Sequence, residues 1–142
     1  MSGESGGSSV PLAHGPTAGR DEAKQAFSTR QLGRIDEALT LSSRETGLTF
    51  SIYVGELAEP TRATAESLFE KLATEADGAV LVAVSPGQRR LHVVTGETSA
   101  ARLPNRACAL AALGMRAAFV NGDLTGGIVT GLRMLADAAG RP

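Results

Sequence analysis

The stretch whose reading decides the fold is Asp77–Thr95, DGAVLVAVSPGQRRLHVVT. Ala79–Val84, AVLVAV, is apolar at every position, as a central strand covered on both faces should be. Pro86 and Gly87 suit the middle of a type II turn, and Leu91–Thr95, LHVVT, reads as the returning strand. Residues 79–95 therefore predict an antiparallel hairpin. If the turn sets the register, Gln88 opposes Ser85 and His92 opposes Leu81. His92 then stands about 13 Å along the sheet from Ser85, at the rise of extended chain.

Outward from the hairpin, the periodicities assign the remaining elements. Leu48–Leu57, LTFSIYVGEL, places Leu48, Phe50, Ile52 and Val54 on one face with the two-residue period of a strand. Ahead of it, Ser28 and Gln31 have capping-box spacing, with Phe27 and Leu32 set for a hydrophobic staple. Leu32, Ile35 and Leu39 recur at helical spacing and Gly47 supplies a left-handed stop, so a helix is expected over 29–46. Between the strands, Pro60 opens a second helix with the stripe Ala65, Leu68, Phe69, Leu72 and Ala76, ended by Gly78. Downstream, Pro104 opens a helix carrying Leu110, Leu113, Ala117 and Val120. Gly122 closes it, and Asp123 caps a last helix with Ile128, Leu132 and Leu135. Gly127 and Gly131, one helical turn apart, predict close helix packing.

The order is α-β-α-β-β-α-α. A right-handed crossover makes the first two strands parallel, and the hairpin makes the third antiparallel to its neighbour. The expected fold class is α/β: a small mixed sheet packed by about four helices. Residues 1–20 are rich in Gly, Ser and Pro and have little to bury, which predicts a disordered tail ahead of a single domain over 21–142.

Composition narrows the function classes. The chain has 142 residues, 42% of them hydrophobic, enough for one core. Cys108 is the sole cysteine, which excludes an internal disulfide and a multi-cysteine zinc site. Fourteen basic residues against 15 acids leave a net charge of -1 with the cations scattered, a poor match to nucleic acid. No apolar run approaches the length of a membrane span and no signal-peptide core is present, so a cytosolic location is expected.

Few residues suit chemistry. His14 falls in the tail, leaving His92 as the one core histidine, out of reach of Ser85 and best read as a strand residue with its bonds satisfied. Cys108, on a helix with no histidine nearby in sequence, behaves as a small hydrophobe. Asn121–Gly127, NGDLTGG, precedes a helix N-terminus but follows a helix rather than a strand, so it reads as a connector rather than a phosphate loop. Carboxylates remain. The start of the second strand meets the end of the third, bringing Asp77 to Gly96 and Glu97, with Thr46 and Gly47 facing the same edge. Asp77 and Glu97 can share a divalent cation such as calcium or magnesium, with Asn105 adding an amide oxygen. Glu56 and Glu59 belong to the opposite edge.

Three blocks in this order, RIDEALTLSSRETGLTFSIYVGEL (Arg34–Leu57), DGAVLVAVSPGQRRLHVVTG (Asp77–Gly96) and FVNGDLTGGIVTGLRML (Phe119–Leu135), resemble a family of short uncharacterised actinobacterial proteins. The core is similar to the TPM domain, which implies an α/β sandwich linked to weak acid phosphatase activity with divalent metals, or to non-catalytic assembly and regulation. By that resemblance Asp77 takes the place of the acid before the buried strand, Gly96 that of the glycine after the hairpin, and Gly122 and Asp123 that of the Gly-Asp between the last helices. The chain departs from the pattern in having Asn105 where an acid often stands. Asp21 and Glu22 are the only counterparts of an upstream acid, and the usual signal peptide or anchor is missing. With its acid set depleted, the chain is expected to be an interaction or regulatory domain with a protein partner. The alternatives are a metal-assisted phosphomonoester hydrolase using Asp77 and Glu97, and a small-ligand or metal sensor at the Asp77 edge.

Overall fold

A computed structural model describes residues 27–72 and 76–142; the predicted tail over residues 1–20 lies outside them. The elements run α1 (Thr29–Thr46), β1 (Thr49–Val54), α2 (Thr61–Leu72), a 3-10 turn (Ala76–Gly78), β2 (Ala79–Ser85), β3 (Arg90–Thr95), α3 (Glu97–Arg102), α4 (Asn105–Val120) and α5 (Leu124–Ala139).

The start of α1 follows from its sequence. The Ser28 hydroxyl accepts the Gln31 N–H at 3.1 Å while the Gln31 side chain accepts the Ser28 N–H at 2.8 Å, and Gly47 ends the helix at φ 78°. This satisfies orphan donors at one end and lets the chain reverse at the other without a Cβ penalty.

The three strands lie in the order β1-β2-β3, with β1 parallel and β3 antiparallel to β2. Phe50, Ile52, Val54, Val80, Val82, Val84, Leu91 and Val93 face a core shared with α1, α4 and α5. Tyr53, Leu81, Ala83 and Val94 face a smaller core closed by Leu57, Ala65 and Phe69. The all-apolar Ala79–Val84 thus has helices on both sides, as a central strand requires. Leu72 and Ala76 of the predicted α2 stripe lie outside the side chains described.

Two expectations need correction. The hairpin pairs Ser85 with Arg90 and Ala83 with His92, a shift from the expected Ser85–Gln88 and Leu81–His92 pairs. The loop spans four residues, 86–89, rather than two, and Arg89 enters the left-handed region at φ 56°. Ser85 and His92 consequently share a sheet face at diagonal positions, about 7 Å apart along the strands. The second difference is α3, a six-residue helix absent from the expected order. A helix of less than two turns has too few residues for its period to register.

Among the described residues β3 is an edge strand, and two of its carbonyls are covered by arginines. Arg62 of α2 donates to Val93 O at 3.3 Å, and Arg116 of α4 donates to Leu91 O at 3.4 Å. Charged side chains on a free edge discourage pairing with another chain. On the other layer, α4 and α5 approach closely because Gly127 and Gly131 carry no Cβ. One at Gly131 would lie 2.5 Å from Met115 Cγ, and one at Gly127 would lie 2.8 Å from a Phe119 ring carbon.

Candidate functional site

At one end of the sheet the expected neighbourhood is present. Ala79 O accepts the Gly96 N–H at 3.2 Å and the Ser99 hydroxyl at 2.6 Å, and that hydroxyl accepts the Gly96 N–H at 2.8 Å. These bonds tie the start of β2 to the start of α3, so the 3-10 turn bearing Asp77 packs beside the helix that begins at Glu97. Asp77, Glu97 and Asn105 are all exposed, Asn105 as the first residue of α4. Among the described residues, no three His, Cys, Asp or Glu side chains converge to hold a metal ion.

The same end carries a cation that sequence reading missed. Arg102 donates to Thr46 O at 2.6 Å, Ala139 O at 3.1 Å and Gly140 O at 2.7 Å. One guanidinium thereby collects carbonyls left over at the C-termini of α1 and α5, where the helix dipoles favour positive charge. Nothing local marks Arg102 for this, since its acceptors lie 37 to 56 residues away.

The nucleophile candidates are engaged elsewhere. His92 Nε2 lies 2.9 Å from Thr61 Oγ1, and burial, followed by the nearby Arg62, Arg116 and Arg90, pushes its pKa below the ordinary value, with Glu66 opposing. Ser85 donates its hydroxyl to Gln88 Oε1 at 2.5 Å. Cys108 is half-buried with Sγ 3.8 Å from Leu103 O, and burial raises its pKa, which keeps the thiol protonated. In the Asn121–Gly127 connector, the Asp123 carboxylate accepts the Gly126 N–H at 2.9 Å. A negative charge therefore already occupies the N-terminus of α5, where a phosphate would otherwise sit.

The feature least legible in the sequence is the orientation of α4. Its core contacts are Ala111 and Met115, with Ala107, Cys108, Ala112 and Phe119 partly buried. The larger aliphatic residues point outward: Leu110 is 51% exposed, Leu113 62% and Val120 87%. Positions 106, 109, 110, 113, 117 and 120 fall on one face by helical period, so Arg106, Ala109 and Ala117 complete an apolar stripe with a basic end. Arg116 flanks it, and α4 contains no acidic residue. At the C-terminal end of this stripe, between α4, the 86–89 loop and the start of α5, lies a cavity of about 500 Å3.

Two uncharacterised proteins of Mycobacterium tuberculosis, from strains CDC 1551 / Oshkosh and H37Rv, are each 37% identical over 110 residues, covering 78% of this chain and 65% of theirs. The chain thus spans about two thirds of the length of these relatives. Among solved structures, the BA42 protein of Bizionia argentinensis superposes with a TM-score of 0.72 at 14% identity, covering 80% of this chain and 81% of its own. The N-terminal domain of a P. gingivalis protein gives 0.69 at 17% identity, over 80% and 76%. These two likenesses show the mixed α/β fold. The chain belongs to the family described as Domain of unknown function (DUF5130), whose model matches residues 3–136.

Proposed function

We propose that this chain is a non-catalytic interaction domain that docks a protein partner on the outer face of α4. The observation that carries the reading is the exposure of Leu110, Leu113 and Val120 along one helical stripe. Large aliphatic side chains on a soluble helix are ordinarily buried, and these three stay exposed on one face. Exposed apolar side chains grouped on one face mark binding sites. Arg106 and Arg116, with no acid on the helix, select the occupant: an amphipathic helix with apolar residues at i, i+3 and i+7 and acidic flanks. A photo-crosslinking residue placed at Leu113 in cells tests this. Capture of a partner through an acidic helical segment, with its binding abolished by Leu110→Asp and Leu113→Asp, is the expected result. Crosslinking only to a second copy of the chain would replace this reading with self-association.

A second reading, a metal-assisted phosphomonoester hydrolase in the manner of the TPM domain, is supported by the packing of the Asp77 turn beside Glu97. Divalent-dependent turnover of a phosphomonoester, lost in Asp77→Ala, would favour it over docking.

A further inference from the structure

The cavity at the end of α4 is lined by basic and apolar side chains. Arg89 of the hairpin loop, Arg90 at the start of β3 and Arg116 of α4 line it, and among the described residues no acid does. Leu91, Phe119 and Leu124 supply apolar wall. Among the described residues the guanidinium groups of Arg89 and Arg90 make no hydrogen bond or ion pair, and Arg116 gives one long bond, 3.4 Å, to Leu91 O. Three arginines lining one concavity concentrate positive charge there, and a guanidinium is a planar donor fork suited to carboxylate or phosphate oxygens.

The backbone adds a second observation. Arg89 stands at φ 56°, a conformation that glycine adopts freely and that a side chain adopts only at a cost. The loop therefore holds an arginine where the turn alone would be better served by glycine, and Arg89 and Arg90 stand in succession at the cavity rim.

We infer that this cavity binds a small amphipathic anion, a single carboxylate or phosphate head held by Arg89, Arg90 and Arg116 with a short hydrocarbon body against Leu91, Phe119 and Leu124. The volume suits one compact organic molecule, since small-molecule pockets run from about 300 to 1,000 Å3. It is too small, and its cations too few, for the extended phosphate tracking of nucleic acid. The site goes beyond partner docking: it shares Val120 and Arg116 with the docking stripe, but Leu110 and Leu113 do not line it.

Calorimetric titration of the full chain with monomeric octyl phosphate, octanoate, inorganic phosphate and octyltrimethylammonium tests the assignment. The expected pattern is binding of both octyl anions, octyl phosphate at least about tenfold more tightly than inorganic phosphate, and no binding of the cation. Arg89→Gly should weaken octyl phosphate about tenfold or more while leaving the melting temperature level or raised, because the glycine relieves φ strain as it removes the charge. Leu113→Asp should leave the titration unchanged even where it abolishes partner docking, which separates the two proposals. Equal affinity in Arg89→Gly, or equal binding of octyl anion and octyl cation, would overturn the anion site. Binding to phosphatidylglycerol vesicles without binding of free octyl phosphate would assign the arginines to a lipid surface and also overturn the cavity ligand.

Discussion

The Gln88 side chain pairs with the backbone of Leu57 as a strand residue would: its Oε1 accepts the Leu57 N–H at 2.8 Å and its Nε2 donates to Leu57 O at 2.8 Å. The hairpin loop after β2 is thereby fastened to the chain leaving β1, 31 residues upstream. The same Oε1 accepts the Ser85 hydroxyl, so one carboxamide satisfies three polar groups near the second core. Leaving buried backbone groups unpaired costs more than the bonds appear worth, because desolvation is not returned.

Gln88→Ala should therefore lower stability by about 1–3 kcal/mol. Gln88→Glu should cost more, since a carboxylate cannot donate to Leu57 O. Denaturant unfolding of the two variants checks the order, and a Glu variant as stable as wild type would show that the loop is held by other contacts.

Stability should fall on mild acidification through His92. Its folded pKa lies below the ordinary 6.5, so the unfolded chain takes up the proton more readily than the folded one. The contribution is complete above that value and declines as the pH drops below it. Melting temperatures compared at about pH 7.5 and about pH 5.5 should drop more for wild type than for His92→Gln, which can still bond Thr61 but does not titrate. An equal drop would place the acid sensitivity in other groups.

Gly131→Ala should destabilise the chain by about 1–3 kcal/mol, because the added methyl meets Met115 in the packed α4/α5 interface. Met115→Ala on its own opens a cavity, yet the double variant should recover part of the loss. Strict additivity in the double-mutant cycle would mean that the two positions do not share the contact.

A divalent ion at the Asp77 edge should raise the melting temperature by mass action. On the hydrolase reading, calcium, magnesium or manganese added after chelation stabilises wild type and leaves Asp77→Ala unmoved. No rise at millimolar ion in wild type would remove the mechanism of the hydrolase reading.

Local signals in the sequence determined most elements. The capping box at Ser28, the stop at Gly47, the alternation through Phe50, Ile52 and Val54 and the cap at Asp123 each act within a few residues, so α1, β1 and the start of α5 could be read directly. The parallel and antiparallel pairings followed from chain direction, and with them the packing of the turn bearing Asp77 beside the helix that begins at Glu97. Tertiary structure decided the rest. The hairpin register depended on Arg89 accepting a left-handed conformation, which its residue type does not announce. The clamp of Arg102 on Thr46 and Gly140 joins chain ends that only folding brings together. The outward face of α4 was settled by fit rather than hydrophobicity. The stripe read from the sequence, Leu110, Leu113, Ala117 and Val120, is the face left outside, because the grooves left by Gly127 and Gly131 received Phe119 and Met115 instead.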